Sequence, residues 1–215
     1  MNRRKSIAGT ILILIGSLLI LAAIGFYAYN LWDDSRANAA ADRVLEALEE
    51  IIMQASDPSG SASGAGTAPA IPDYVLDPLR DMPAVEIDGR RYVGTISIPA
   101  LDLELPVLEE WSYPGLKVAP CRYSGTVYQK NMVIAAHNYN AYFGSLVNLK
   151  PGDQVVFTDV DGNQFAYQMV LQETLAPTAV AEMTAGEWDL TLFTCTLGGR
   201  TRTTVRCTAE PEPES

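Results

Sequence analysis

A cysteine, an arginine and a histidine are the residues of this chain best suited to nucleophilic chemistry. Cys195 lies within residues 189–207, DLTLFTCTLGGRTRTTVRC. Leu190, Leu192, Phe193 and the threonines favour extended backbone, and Gly198-Gly199 suits the φ > 0 positions of a two-residue hairpin turn. Such a turn puts Leu197 opposite Arg200, Thr196 opposite Thr201 and Cys195 opposite Arg202. Directly opposed residues share a sheet face, with Cβ atoms roughly 5 Å apart. Leu190, Leu192, Val205 and Cys207 fall on the other face, the one expected to be buried. A thiol beside a guanidinium, away from the core, is a poor packing choice and a sensible one for a nucleophile.

The only histidine, His137, closes the apolar run 131–136, NMVIAA. A thiol ionises at about pH 8.5 and needs a neighbouring cation or base to supply thiolate at neutral pH. Arg202 and His137 can do so together, and a nucleophilic cysteine usually has its histidine distant in sequence and close in space. Taken singly, both have ordinary explanations: free cysteines are often buried, and a lone histidine at a strand end is commonly structural. Three arginines compete on the second strand. The register favours Arg202; Arg206 lies opposite Thr191, roughly 13 Å along at strand rise. Arg206 is therefore expected to serve stability, and Arg200, nearer the turn, is second choice.

These residues need a scaffold to bring them together. Residues 92–98 alternate in polarity, as does LDLELPVLE, and 154–157 and 164–171 are further strands with turns at 150–153 and 161–163. Seven or eight short strands with few helices predict a mainly β domain, a small closed or nearly closed barrel. Ahead of it, residues 7–29 form an uncharged apolar run, about 35 Å long as a helix and so long enough to cross a bilayer. Arg3, Arg4 and Lys5 precede it and Asp33 and Asp34 follow, which predicts a cytoplasmic N-terminus and an extracellular domain. A cleaved signal peptide, with Ala37-Asn38-Ala39 as its site, would have a shorter apolar core.

Residues 37–54 carry a helical apolar stripe, Val44, Leu45, Leu48, Ile51 and Ile52, suited to a stalk or to packing on the domain. Residues 56–70 are Gly/Ser-rich and predict a flexible linker. The expected organisation is thus an anchor at 1–32, a stalk and linker at 33–90, a catalytic barrel at 91–210 and an acidic tail at 211–215. A net charge of −11 argues against a nucleic-acid partner. Three cysteines cannot form a fully paired disulfide framework, and no spacing suits zinc. Cys121 and Cys207 are expected as two buried free thiols.

Several motifs, in order from about Arg91 to Glu210, resemble the sortases of Gram-positive bacteria. TISIPALDLELPV is similar to that family's entry strands, and VIAAHN to the strand bearing its catalytic histidine, here His137. FGSLVNLKPGDQVVFTDVDGNQFAYQMV is similar to its central strands, and LTLFTC to its Thr-Leu-x-Thr-Cys segment, which puts Cys195 in the nucleophile's place. The resemblance implies a sortase-like barrel and transpeptidation outside the membrane. Cys195 would attack the Thr-Gly carbonyl of a sorting signal similar to Leu-Pro-x-Thr-Gly on a surface protein or pilin. His137 would protonate the leaving amine, Arg202 would stabilise the oxyanion, and an amine of the cell wall or a pilin would resolve the thioester. Thr194 alternates away from Cys195 and reads as structural.

No cofactor is implied, and Glu104, Asp159 and Asp161 leave calcium dependence open. The short stretch 172–188 lacks room for the long helix of one sortase class. Asp77-Pro78 is similar to the active-site lid of the pilin-polymerising class but is also an ordinary turn dipeptide, the favoured reading. The subclass stays open. Two rivals stand: another cell-wall cysteine enzyme such as an L,D-transpeptidase, whose Ser-His-Gly-Cys segment has no counterpart here, and a non-enzymatic, membrane-tethered β-barrel that would need no thiol.

Overall fold

The computed structural model describes residues 2–56 and 72–210; the expected linker (beyond Ser56) and the tail at 211–215 fall outside them. Helix α1 spans Asn2–Ser56. The chain divides into two compact units, Met1–Arg36 and Ala37–Ser215. In the first, Ile11–Tyr29 forms a nineteen-residue stretch long and apolar enough to cross a membrane, with no side chain buried in protein.

The second unit is built around a closed barrel. Its strands are β1 (Val85–Ile87), β2 (Arg90–Ile98), β3 (Leu103–Leu108), β4 (Cys121–Ser124), β5 (Met132–Ala135), β6 (Gln154–Asp159), β7 (Gln164–Leu175), β8 (Leu190–Cys195) and β9 (Arg202–Ala209). They run in the order β1-β2-β3-β4-β5-β8-β9-β7-β6, and β2 pairs with β6 to close the ring. Eight strands make the barrel, within the expected range; β1 is an added hairpin partner of β2. Three short helices, α2 (Asp73–Leu76), α3 (Tyr113–Leu116) and α4 (Val180–Met183), decorate it.

Alternation fills the barrel. Ile96, Ile98, Leu105, Val107, Phe157, Met169, Leu190, Leu192 and Val205 point inward and are buried together. Strand β5 does not alternate, because both its faces are covered. Met132 and Ile134 enter the interior, whereas Ala135 joins a second cluster outside the barrel. That cluster includes Val44 and Leu48 of α1 with Tyr92, Leu108, Leu116 and Cys121. Of the two readings of the helical stripe, the structure supports packing on the domain. Leu48 is completely buried, worth roughly 1.5–3 kcal/mol for a leucine side chain.

Two other parts of the segment read as stalk and linker also join the barrel: Met82 enters the core, and Tyr74 of α2 stacks on Tyr128 at 4.9 Å. Tyr74 also packs on Phe165, near the start of β7, so α2 sits by the β8 end that begins at Leu190. Cys195 closes β8 five residues later, roughly 17 Å away at strand rise. Asp77-Pro78 follows α2 directly. The Asp77 carboxylate accepts from the Leu79 N–H at 3.1 Å, the hydrogen bond of an ordinary turn.

Candidate active site

The register is the expected one, but the loop is wider than a two-residue turn: the Gly199 N–H donates to the Thr196 carbonyl at 2.8 Å, and residues 197–200 lie inside the last bonded pair. Both glycines have positive φ, 82° and 69°, and Thr196 and Thr201 close the turn with an N–H to carbonyl bond of 3.0 Å. Both positions need φ > 0, and glycine bears this without strain. Beyond the turn the register runs Cys195↔Arg202, Thr194↔Thr203, Phe193↔Thr204 and Thr191↔Arg206. Leu190, Leu192, Val205 and Cys207 are fully buried on the other face.

His137 arrives by a non-local pairing. Strand β5 runs parallel to β8, with Ala135 beside Phe193, and the Ala136 N–H donates to the Phe193 carbonyl at 3.1 Å. His137 is the next residue after Ala136, as Cys195 is the second after Phe193. The two thus leave neighbouring strands at the same level, about 5 Å apart across the sheet. Since the local order is β5-β8-β9, the thiol's strand lies between those of the imidazole and the guanidinium. Thr194 is buried, and its hydroxyl donates to the Ala136 carbonyl at 2.9 Å, tying the cysteine strand to the residue before His137. That is the structural part expected of it.

After His137 the chain folds back sharply. The Phe143 N–H donates to the His137 carbonyl at 3.2 Å and the Gly144 N–H to the Tyr139 carbonyl at 2.9 Å. A Cβ on Gly144 would lie 2.7 Å from the carbonyl oxygens of both Asn138 and Tyr139, so only glycine permits this approach. The imidazole packs on Tyr139 with ring centroids 5.0 Å apart.

Cys195, His137 and Arg202 are all half-buried. The Arg202 Nη1 donates to the carbonyls of Gly199 and Thr201, each at 3.1 Å, which anchors one arm of the guanidinium on the turn. Phe193, on the face of Cys195, meets Tyr123 edge-on at 5.3 Å, and Tyr123 meets Trp111 at 5.8 Å. Opposite them the β7–β8 connection brings Pro177, Val180 and Met183 over the sheet. A narrow slot of about 30 Å³ remains between these residues and Tyr123, Phe193 and Arg202.

Some of this was hidden from sequence reasoning. Tyr123 sits on β4, a strand of four residues with only partial alternation, too short to recognise. Phe193 could have been found, because it lies two residues before Cys195 on the same face. The outer face of β9 is not open either: Thr204 and Arg206 are buried there. Arg206 donates to the carbonyls of Glu182 and Met183, in and beside the last turn of α4, so the β7–β8 connection covers that face.

The other two cysteines are inert by position. Burial pushes the Cys121 thiol up to about 11 and the Cys207 thiol up to about 12, so both stay protonated at neutral pH. All three cysteines are free. Iodoacetamide at pH 7 is expected to add one label per native chain, on Cys195, and three after denaturation, read by intact mass. Two or more labels on the native chain would contradict this burial.

Asp159, one of the acidic residues considered for calcium, is fully buried and already engaged. It accepts from the backbone N–H groups of Asp161 and Asn163, from the Asn163 amide and from the Tyr128 hydroxyl at 2.8 Å. It works as the internal brace of the β6–β7 turn. Among the described residues no group of three or more His, Cys, Asp or Glu side chains gathers as a metal site would require.

A closed eight-stranded barrel with a thiol on the middle of three strands, flanked by a histidine and an arginine, has clear relatives. The family model described as the sortase domain matches residues 96–210, and the chain belongs to the sortase family. Over 131 residues it is 28% identical to sortase A of Bacillus anthracis, a match covering 54% of this chain and 58% of that protein. The chain thus spans little more than half the length of that relative. Among solved structures it is similar to sortase C of Streptococcus pneumoniae, with a TM-score of 0.52 at 20% identity, covering 81% of this chain and 96% of that one. Sortase C from Clostridium perfringens is similar with a TM-score of 0.50 at 23% identity, covering 82% and 95%. These two likenesses concern the fold.

Proposed function

We propose that this protein is a membrane-anchored cysteine transpeptidase that cleaves a sorting signal similar to Leu-Pro-x-Thr-Gly and transfers the freed protein to an amine. The observation that carries this reading is the register that sets Cys195 directly opposite Arg202, with His137 at the same level on the other neighbouring strand. The slot walled by the β7–β8 connection, lined by Arg202 and by Phe193 of the cysteine strand, supports a peptide site on this face.

In this mechanism the Cys195 sulfur attacks the carbonyl carbon of the Thr-Gly bond, and negative charge develops on the carbonyl oxygen. Arg202 receives that charge with Nε and Nη2, while Nη1 stays on the turn carbonyls. The C–N bond then breaks, and His137 gives its proton to the departing amine. A thioester is left on Cys195. An incoming amine attacks the thioester carbonyl, a proton passes to His137, and a new amide leaves the thiol ready for another cycle. The donors are surface proteins or pilins with a C-terminal sorting signal; the acceptor is a cell-wall precursor or pilin amine.

The test uses the full chain in detergent micelles with a library of sorting-signal peptides. Intact mass should show an increase equal to the acyl fragment, released by a primary amine. If no peptide in the library acylates the chain, the reading fails.

The apolar stretch Ile11–Tyr29 would hold the enzyme in the membrane, with the N-terminus inside and the barrel outside. Protease added to intact protoplasts is expected to digest the barrel; a barrel protected from it would overturn that orientation.

A further inference from the structure

The buried arginine of β9, Arg206, has a place in this site that the register alone would not assign to it. It lies four residues beyond Arg202 on the same strand face and is 3% exposed. Its Nε donates to the Glu173 carboxylate at 2.7 Å, and its Nη1 to the Thr191 hydroxyl at 3.0 Å. The other two contacts leave the sheet. Nη1 reaches the Met183 carbonyl at 3.2 Å and Nη2 the Glu182 carbonyl at 2.8 Å.

Those carbonyls belong to α4, at the end where a helix leaves carbonyls without intrahelical partners. A guanidinium suits that end electrostatically and, being planar with five donors, can reach a carboxylate, a hydroxyl and two carbonyls at once. The Met183 side chain is buried beside it, its sulfur accepting from Thr204 at 3.9 Å. Among the described residues, that Thr204–sulfur contact is the only other side-chain hydrogen bond from β8 or β9 to residues 176–188. The slot beside Arg202 holds about 30 Å³, room for about two water molecules. An ångström of movement in α4 therefore changes what the slot admits.

We infer that Arg206 is a positioning residue for the peptide: it pins α4 to the barrel and thereby sets the width of the groove between Val180, Met183 and the strand that carries Cys195. The inference rests on the proposed reaction, but it can be tested apart from it. Arg206 does not touch the reacting atoms, so its loss acts on peptide binding and leaves the intrinsic reactivity of the thiol in place.

The experiment compares the full-length wild-type chain with Arg206→Gln and Arg206→Lys in detergent micelles. Amide hydrogen exchange over residues 176–189 should rise tenfold or more in Arg206→Gln, with β5 and β6 unchanged. Peptide KM should rise about tenfold while kcat and the rate of Cys195 alkylation by iodoacetamide stay within about twofold. Arg206→Lys, which keeps the charge and loses the fork, should fall between. Unchanged exchange in 176–189, or faster exchange in every strand with KM unaltered, would overturn the inference. Should Arg206→Gln not fold, Thr191→Val and Glu173→Gln each remove one contact and should shift exchange and KM in the same direction, by less; no shift in either would also overturn it. If the wild-type chain forms no acyl-enzyme, the proposed reaction fails, and the exchange comparison still decides whether Arg206 pins α4.

Discussion

Cys195→Ala is expected to abolish acyl-enzyme formation, lowering turnover by roughly 10⁴-fold or more, the scale of loss when a covalent nucleophile is removed. The side chain is half-buried on the outer sheet face, and the buried inner face of β8 is formed by Leu190, Leu192 and Thr194. Removing one sulfur there leaves the core intact, so stability should change by no more than about 0.5 kcal/mol. Intact mass after incubation with a sorting-signal peptide should show the unmodified chain alone, and its thermal unfolding should match the wild type. A Cys195→Ala chain that still processed the peptide would mean that the thiol is not the nucleophile. Because neither Cys121 nor Cys207 has solvent access, neither can take over the role. The same variant separates an enzyme from a tethered binding barrel, which would retain its full function without the thiol.

Arg202→Ala should lower the acylation rate by roughly a hundredfold or more, the usual loss when one oxyanion donor is removed. The effect should fall on kcat, because the charge that Arg202 is proposed to receive would exist only as the tetrahedral intermediate forms. Arg202→Lys should restore part of the rate, since an ammonium keeps the charge without the planar fork. Its contacts with the Gly199 and Thr201 carbonyls also matter, because losing them loosens the turn that carries the arginine. Arg200→Ala is the comparison: it should retain most of the rate. A hundredfold loss in Arg200→Ala with a normal Arg202→Ala would transfer the role to the turn arginine. Arg202 and Arg206 thus separate kinetically, one acting on kcat and the other on KM.

The hairpin that holds Cys195 and Arg202 was legible because its information is local. Gly198-Gly199 supplies the positive φ that a short loop between Thr196 and Thr201 needs, that loop sets the register, and strand alternation then assigns every side chain to a face. The same logic found the inward-facing Leu190, Leu192, Val205 and Cys207, and the inward Thr194. The apolar stretch near the N-terminus was equally plain, since its length and lack of charge are properties of composition. Strands β1 and β4 were not legible: three and four residues are too few to show a period.

What the sequence determined by itself, then, was the set of strands with strong alternation, the register of one hairpin and the three residue types able to carry the chemistry. Tertiary structure alone decided how they meet. The parallel pairing of β5 with β8 brings His137 beside Cys195 across a connection that includes two other strands, and no turn sets its register. It follows from barrel closure, in which β2 must find β6 and each strand must bury its apolar face. The burial of Arg206 was invisible for the same reason. Alternation placed it on the face away from the core, but only the path of the β7–β8 connection decides whether that face meets water or the carbonyls of α4. Side-chain period within a strand is a local property; what covers a face is a property of the whole chain.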